Sequence, residues 1–494
     1  MSQIDYQQQQ IRRIKLQDMY EDLNPSCNYK HCRSFFQISF QEMKWNKSHL
    51  PFLPTIFNIE DDVVCLDKKQ QLKRRTYKLL DQYLFYKSKN EKIVWINYEN
   101  AIIELISNSD LGLGIRLTKC FDKVEFFGNA NYWYKFMKRF AVQYDFLHYY
   151  TPISKLNKIK FGESYKGKNK VDSAEYIIKI YQKSLIIDEE DRQQFFKEIS
   201  VIRQLKTDLT MKFYDLFENQ DQIYVIVENL PSYTLLEYVQ KNPLLSEEKA
   251  AKAIFRIIKI VAYLHSKKIM HRDIKLENFI FRQLDNLDSL CLTDFKLAEF
   301  YDDEGHYQFK RCGTVGYVAP EVLADKNYDL KVDVYSVGIL LFILFAGKEP
   351  FDGNYQEKVI QNLIGVIDFN SIRVSNLASE FLKGLLKLDP QERLSSHQAL
   401  NHKWFQREKL IGALKQQIKS TLQNLNKPRK VKESLKKSFL ILPTNSIPQL
   451  QSPSSFRIKT LPNPQSQEKV HLPVIYRRTT HQIPSNSIFY GRMK

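Results

Sequence analysis

The stretch His271-Arg272-Asp273-Ile274-Lys275-Leu276-Glu277-Asn278 decides the reading of this chain. It sets a carboxylate, an ammonium and an amide carbonyl at fixed spacing in one short segment. Such a set can accept a hydroxyl proton at Asp273, neutralise a phosphate through Lys275 and hold a hard metal ion through Asn278. Downstream, Leu292-Thr293-Asp294-Phe295-Lys296-Leu297-Ala298 supplies a second carboxylate, Asp294. Upstream, Tyr176-Ile177-Ile178-Lys179 reads as a strand ending in a cation. Nineteen residues on (198 − 179), Glu198 falls on one helical face with Phe195, Ile199 and Ile202. A carboxylate on an apolar face needs a partner, and Lys179 is the candidate. The alternative is a glutamate at the edge of a solvated helix.

At 494 residues the chain exceeds one ordinary core, so two or three domains are expected. The net charge is +18, but residues 406–494 hold 17 Lys/Arg against 3 Asp/Glu, so +14 of it lies in the tail. The remainder, 18 − 14 = +4, makes no global basic field, and nucleic acid is excluded as a partner. Six cysteines (27, 32, 65, 120, 291, 312) follow no framework spacing, which suits a reducing, cytoplasmic setting. Cys27 and Cys32 flank His31 without a second pair, so they are not read as a zinc site. Met1 to Lys15 is polar and lacks a signal-peptide core. The longest apolar run, Val337 to Ala346, is half of the roughly 20 residues of a membrane span. Membrane contact is therefore expected to be peripheral.

Over 151–405 these motifs together resemble the eukaryotic Ser/Thr protein kinases. The string Cys312-Gly313-Thr314-Val315-Gly316-Tyr317-Val318-Ala319-Pro320-Glu321 is similar to that of the calmodulin-dependent group. The resemblance implies an α+β bilobal fold, with a β-rich small lobe near 151–230 and a helical large lobe near 231–405. It implies ATP and Mg²⁺ as cofactors and a protein substrate. On that resemblance Asp273 is the base, Lys275 neutralises the transferring phosphate, and Asn278 and Asp294 hold Mg²⁺. Lys179 grips the nucleotide phosphates and Glu198 orients it. Val227 is the gatekeeper, the backbone from Glu228 to Leu230 meets the adenine edge, and Ile280 lies under it. Arg272 reads a phosphate on the activation segment, Thr314 closes that segment, Asp333 braces the catalytic loop, and Glu321 pairs with Arg393.

Three departures stand out. In Asn157-Lys158-Ile159-Lys160-Phe161-Gly162-Glu163-Ser164, only Gly162 remains of the family's Gly-rich loop, and Ser164 replaces a valine. Ile177 replaces an alanine above the adenine. Lys296 replaces the glycine after Asp294-Phe295, removing backbone freedom and adding a cation. The competing reading is a pseudokinase scaffold. Between Leu297 and Gly313 there is no Ser or Thr, and Asp302-Asp303-Glu304 are expected to stand in for the loop phosphate. The alternative is a solvated acidic loop.

Residues 1–47 read as a flexible lead-in broken by Phe35, Phe36 and Phe40. Seven β-branched and aromatic runs follow, from Val63 to Phe127. Trp133, Phe136, Met137, Phe140, Ala141 and Tyr144 then mark one face of a helix, with Asn129 or Asn131 as N-cap. Seven strands and a Trp-bearing helix resemble a pleckstrin homology domain over 48–146, a small β-barrel or sandwich with a C-terminal helix. That resemblance implies that Lys68, Lys73 and Arg75 face the inositol phosphates of a phosphoinositide membrane surface. A solvated hairpin charge cluster is the alternative. In the basic tail, 406–494, Leu410, Leu414, Ile418, Leu422 and Leu425 stripe a helix near 408–425. It reads as a pseudosubstrate, a target for a calmodulin-type regulator, or a helix packed on the large lobe. The rest of the tail reads as mostly disordered.

Overall fold

The computed structural model describes residues 35–37, 43, 57–66, 71–88, 90, 92–120, 122–301, 312–324 and 326–406. Lys68, Asp302-Asp303-Glu304 and the striped segment near 408–425 lie outside the described residues.

The front of the chain forms seven strands: β1 (Ile59–Leu66), β2 (Leu72–Leu80), β3 (Tyr83–Lys87), β4 (Ile93–Asn97), β5 (Ile102–Asn108), β6 (Gly112–Lys119) and β7 (Asp122–Phe127). They pair antiparallel in the order β4-β3-β2-β1-β7-β6-β5. Alternation puts Tyr77 and Leu79, Leu84, Ile96, Ile115, Leu117 and Phe126 into one core. Helix α1 (Ala130–Met137) follows, with Asn129 as N-cap, and seats Trp133 in that core with its ring edge-on to Phe126.

The apolar period that suggested a helix to Tyr144 outruns the helix, which stops at Met137. Phe140 and Ala141 remain buried, but their backbone has found other partners. Asn100 N–H donates to the Phe140 carbonyl (2.9 Å), Val142 N–H to Ala101 (2.8 Å) and Ile103 N–H to Val142 (3.0 Å). Gln143 N–H donates to the Leu216 carbonyl (2.9 Å), and the Gln143 carbonyl accepts from Glu218 N–H (2.9 Å). Residues 140–143 thus pair on one side with the front sheet and on the other with the next sheet. A strand-like staple serves the same apolar residues as a helix would, so periodicity alone could not separate the two.

The second sheet contains β8 (Tyr150–Ile159), β9 (Gly162–Asn169), β10 (Glu175–Gln182), β11 (Phe213–Glu218) and β12 (Gln222–Glu228), in the order β11-β12-β10-β9-β8. Helix α2 (Glu189–Gln204) crosses it, with Glu189, Glu190 and Asp191 complementing the dipole in its first turn.

Below lie α3 (Leu235–Lys241), α4 (Glu247–Ser266) and the short strands β13 (Ile269–Met270), β14 (Phe279–Phe281), β15 (Leu290–Leu292) and β16 (Glu299–Phe300). The chain continues through α5 (Lys331–Ala346), α6 (Tyr355–Ile364), α7 (Asn376–Leu385) and α8 (Ser396–Leu400). Helix α5 is buried from Val332 to Phe345, which explains why it is apolar all round. Gly338 is needed there, because a Cβ would meet the Leu386 side chain at 2.7 Å. No helix among the described residues is long and apolar enough to cross a membrane.

Candidate active site

Helix α4 delivers the catalytic stretch, and a buried carboxylate at the start of α5 fixes its backbone. Asp333, fully buried, accepts from His271 N–H and Arg272 N–H (2.8 Å each) and meets His265 Nε2 at 3.1 Å. Burial alone would raise the Asp333 carboxyl. The His265 hydrogen bond and the fields of His265 and His271 outweigh it and hold the group below its ordinary value. Arg272 takes a left-handed backbone, φ 64°, which turns the chain into the loop.

The three groups of the loop converge. Lys275 Nζ lies 2.8 Å from Asp273 Oδ2, and Asn278 Nδ2 donates to the Asp273 carbonyl (2.8 Å) and carboxylate (3.2 Å). Thr314 Oγ1 donates to Asp273 Oδ1 at 2.6 Å and accepts from Lys275 Nζ at 3.0 Å. A carboxylate, an ammonium and a hydroxyl thus close a triangle.

Asp294 follows β15 with φ 57°, and Phe295 packs edge-on against the His271 ring at 5.3 Å. Lys296 Nζ stands 3.1 Å from Asp294 Oδ2, and Lys296 N–H donates to Oδ1 at 3.3 Å. Burial presses the Asp294 carboxyl upward, but Lys296 and Lys179 overcome it and lower it. Burial opposes the charge of the Lys296 ammonium, but the fields of Asp294, Glu198 and Asp273 outweigh it and raise the group above its ordinary value.

Lys179 and Glu198 are not in ion-pair contact: their charged atoms stand more than 4.0 Å apart, against the expected pairing. Glu198 is buried, and that burial raises its carboxyl despite the opposing field of Lys179. Periodicity correctly turns Glu198 inward, but the distance across to β10 depends on where α2 rests.

The β8–β9 hairpin turns at Lys160-Phe161, with Phe161 at φ 66°. Gly162 is required by packing, because a Cβ there would lie 1.9 Å from the Ile180 carbonyl oxygen of β10. Ser164, in the valine's place, spends its hydroxyl across the hairpin, donating to Asn157 O (3.1 Å) and accepting from Asn157 N–H (3.2 Å). Lys160 Nζ reaches Asp191 Oδ1 at 2.6 Å, tying the hairpin tip to the first turn of α2. Ile177 sits opposite Val227, which is buried on β12. The Glu228 carboxylate pairs with Arg282 and accepts from Lys212 N–H at 3.1 Å. Glu228 N–H donates to the Lys212 carbonyl (2.9 Å), and Leu230 follows half-buried. Ile280 is half-buried on β14.

Two oxygen donors, the Asp294 carboxylate and the Asn278 amide whose nitrogen is committed to Asp273, suit Mg²⁺ held jointly with phosphates. The Lys296 ammonium on Asp294 marks the same place as cation-seeking.

The protein kinase domain family matches residues 150–405. The chain belongs to the protein kinase family. Among curated kinases it is similar to probable serine/threonine-protein kinase 2 of Plasmodium falciparum, 31% identical over 264 residues, covering 53% of this chain and 51% of that one. It is 33% identical over 231 residues to calcium/calmodulin-dependent protein kinase type 1 of Macrobrachium nipponense, covering 46% and 66%. It is 32% identical over 255 residues to calcium-dependent protein kinase 4 of Arabidopsis thaliana, covering 51% and 50%. The chain spans about half the length of most of the curated relatives it matches.

Within this kinase domain Glu321 and Arg393 form a two-pronged buried pair at 2.6 and 2.9 Å. Arg272 donates to the Leu297 carbonyl (2.7 Å) and the Tyr328 hydroxyl (3.2 Å) and lies 3.5 Å from Glu299. Glu299 also receives Lys197 of α2 at 2.6 Å. Sequence reasoning passed over Glu299, whose only signal was an acid among apolar neighbours.

In the front sheet, Lys73 and Arg75 share the β2 face of buried Tyr77, and Arg75 lies over the Tyr86 ring at 4.1 Å. Lys78 pairs with Glu60 at 2.8 Å.

Proposed function

We propose that the chain is a protein serine/threonine kinase that transfers the γ-phosphate of ATP to Ser or Thr hydroxyls of a protein substrate. The observation that carries this is the Asp273–Lys275–Thr314 triangle, closed at 2.6 to 3.0 Å. In this reading Asp273 orients and deprotonates the hydroxyl while Lys275 offsets charge on the phosphate in flight. Thr314 holds both until substrate arrives. Bound Mg²⁺, carried by Asp294 and Asn278, would neutralise the nucleotide phosphates. Lys179 and Gly162 would contact those phosphates, and Val227, the Glu228–Leu230 backbone and Ile280 would enclose the adenine. The exposed Glu277 carboxylate beside the catalytic loop favours basic residues near the target hydroxyl. Peptide-library phosphorylation by the full chain against Asp273→Asn tests this. Transfer that persists in that variant would remove Asp273 from the mechanism.

A pseudokinase scaffold is the second reading, supported by the separation of Lys179 from Glu198 and by Lys296 on Asp294. Thermal stabilisation by Mg·ATP with no transfer to any peptide would favour it.

The front residues 48–146 are proposed as a pleckstrin-homology-like module that brings the cytoplasmic enzyme to phosphoinositide surfaces. The strand order, the helix carrying Trp133 and the shared face of Lys73 and Arg75 support this. Full-length protein should sediment with phosphoinositide vesicles, and Lys73→Ala/Arg75→Ala should not. Equal sedimentation with neutral vesicles would reject the module's role. For 406–494 a calmodulin-type regulator is proposed on the basic stripe near 408–425, in keeping with the name of the Macrobrachium relative. Gel shift of the full chain with calmodulin and Ca²⁺ tests it.

A further inference from the structure

Helix α2 carries Glu198, yet its last turn and its central Phe195–Phe196 pair are held by residues outside the matched span 150–405. A helix leaves its last carbonyls without partners inside the helix, and a cation there complements the dipole. Here the cation comes from the front of the chain. Arg139 Nε donates to the Arg203 carbonyl (2.7 Å), and Nη2 donates to Leu205 (2.8 Å) and Ile202 (3.3 Å). Its Nη1 donates to Phe213 at the start of β11 (3.0 Å). One side chain thus ties the helix end to the strand that follows it.

The contact runs in both directions. Arg203, fully buried on α2, donates to Asn100 Oδ1 (2.6 Å) and to the Ala141 carbonyl (2.8 Å). Burial pulls its guanidinium below its ordinary value, opposed by Glu99 and Tyr98. Ser200 donates to Glu99 (3.0 Å), Gln204 to Gln82 (3.2 Å), and Lys206 pairs with Asp81. The staple of residues 140–143 fixes the same joint through backbone bonds. On the outer side, Phe35 and Phe36 pack their rings on Phe195 and Phe196 at 5.3 to 6.1 Å, and Arg192 covers the Phe35 ring at 5.1 Å.

We infer that the front module, with the Phe35–Phe36 turn, is the positioning element of α2 and sets the distance of Glu198 from Lys179. Arg139 is its principal positioning residue. The inference rests on the kinase reading above and assigns the module a role inside the catalytic unit, apart from any membrane. Glu198 lies 203 − 198 = 5 residues from Arg203, about 7.5 Å along a stiff helix. A shift of the clamped end is therefore delivered to the Glu198 carboxylate almost undiminished.

The test uses the full chain and the variants Arg139→Ala, Arg139→Lys and Lys206→Ala. Amide hydrogen exchange over 198–206 should quicken about tenfold in Arg139→Ala, the loss of one charge-assisted hydrogen bond or more, while β2–β4 stay unchanged. The KM for Mg·ATP should rise and kcat fall, with the KM for peptide unmoved. Arg139→Lys should recover part of both, and Lys206→Ala should give a smaller change of the same pattern. Exchange and KM for ATP within about twofold of wild type in both alanine variants would overturn the inference. If Arg139→Ala does not fold, Arg139→Gln, which keeps N–H donors but no charge, replaces it in the same comparison. Wild type lacking all transfer would reject the kinase reading, and the exchange measurement would still decide the clamp.

Discussion

Replacing Glu299 by glutamine should weaken the kinase without unfolding it. The Glu299 carboxylate joins Lys197 on α2, at 2.6 Å, to Arg272 in the catalytic loop, at 3.5 Å. It therefore stands against Arg272, the residue that the family resemblance expects to read a loop phosphate, in a segment that offers no Ser or Thr between Leu297 and Gly313. The Lys197 arm is 42% exposed, so it contributes about 0.2–1 kcal/mol. Arg272 is 7% exposed and Glu299 15%, but the contact is long, so that arm contributes about 1 kcal/mol, below a full charged hydrogen bond. Arg272 keeps its bonds to Leu297 and Tyr328, which limits the loss. The total, about 1–2 kcal/mol, corresponds to roughly a 5- to 30-fold fall in kcat/KM. Steady-state peptide phosphorylation at low and high salt measures it, and salt should narrow the gap between wild type and variant. Activity of Glu299→Gln equal to wild type, together with wild-type activity abolished by phosphatase, would refute the carboxylate's stand-in role.

Arg393→Met leaves the Glu321 carboxylate buried and unpaired, and should cost about 3–5 kcal/mol in urea unfolding. Adding Glu321→Leu should recover part of that loss; a further loss would contradict the reasoning. Glu198→Gln should abolish transfer yet raise the melting temperature at pH 7. The folded carboxyl is raised above its ordinary value, 4.5, mainly by burial, so its stabilising contribution is complete below that value and is lost as pH climbs through the folded pKa. The variant's advantage should therefore vanish in melts run below pH 4.5, where both side chains are neutral. Lys296→Gly removes an ion pair with side chains 49% and 35% exposed, about 1 kcal/mol at most, so Mg²⁺ should half-saturate at up to roughly fivefold lower concentration. Thermal shift in a Mg²⁺ titration with ATP reads this, and an unchanged or higher midpoint would count against it.

Much of the small lobe and catalytic loop was legible because the decisive relations are short. Lys275 and Asn278 stand two and five residues from Asp273, and the loop needs little else to bring them together. The all-round apolar run of α5 announced a buried helix for the same reason. Gly162 was legible as a constraint, though its cause is the Ile180 carbonyl of a neighbouring strand. Glu299 was not legible, because its two cationic partners lie 27 and 102 residues away along the chain.

The sequence by itself determined which side chains are chemically able to accept a proton, neutralise a phosphate or ligate a cation, and on which local element each one sits. It also determined the seven front strands, through runs of β-branched and aromatic residues. Only the tertiary structure decided where α1 ends, how far Glu198 stands from Lys179, and that Arg139 grips the end of α2. Those outcomes depend on backbone carbonyls and amides as partners, and every residue type carries them alike. Side-chain patterns therefore hold no record of which distant backbone a cation or a staple will meet.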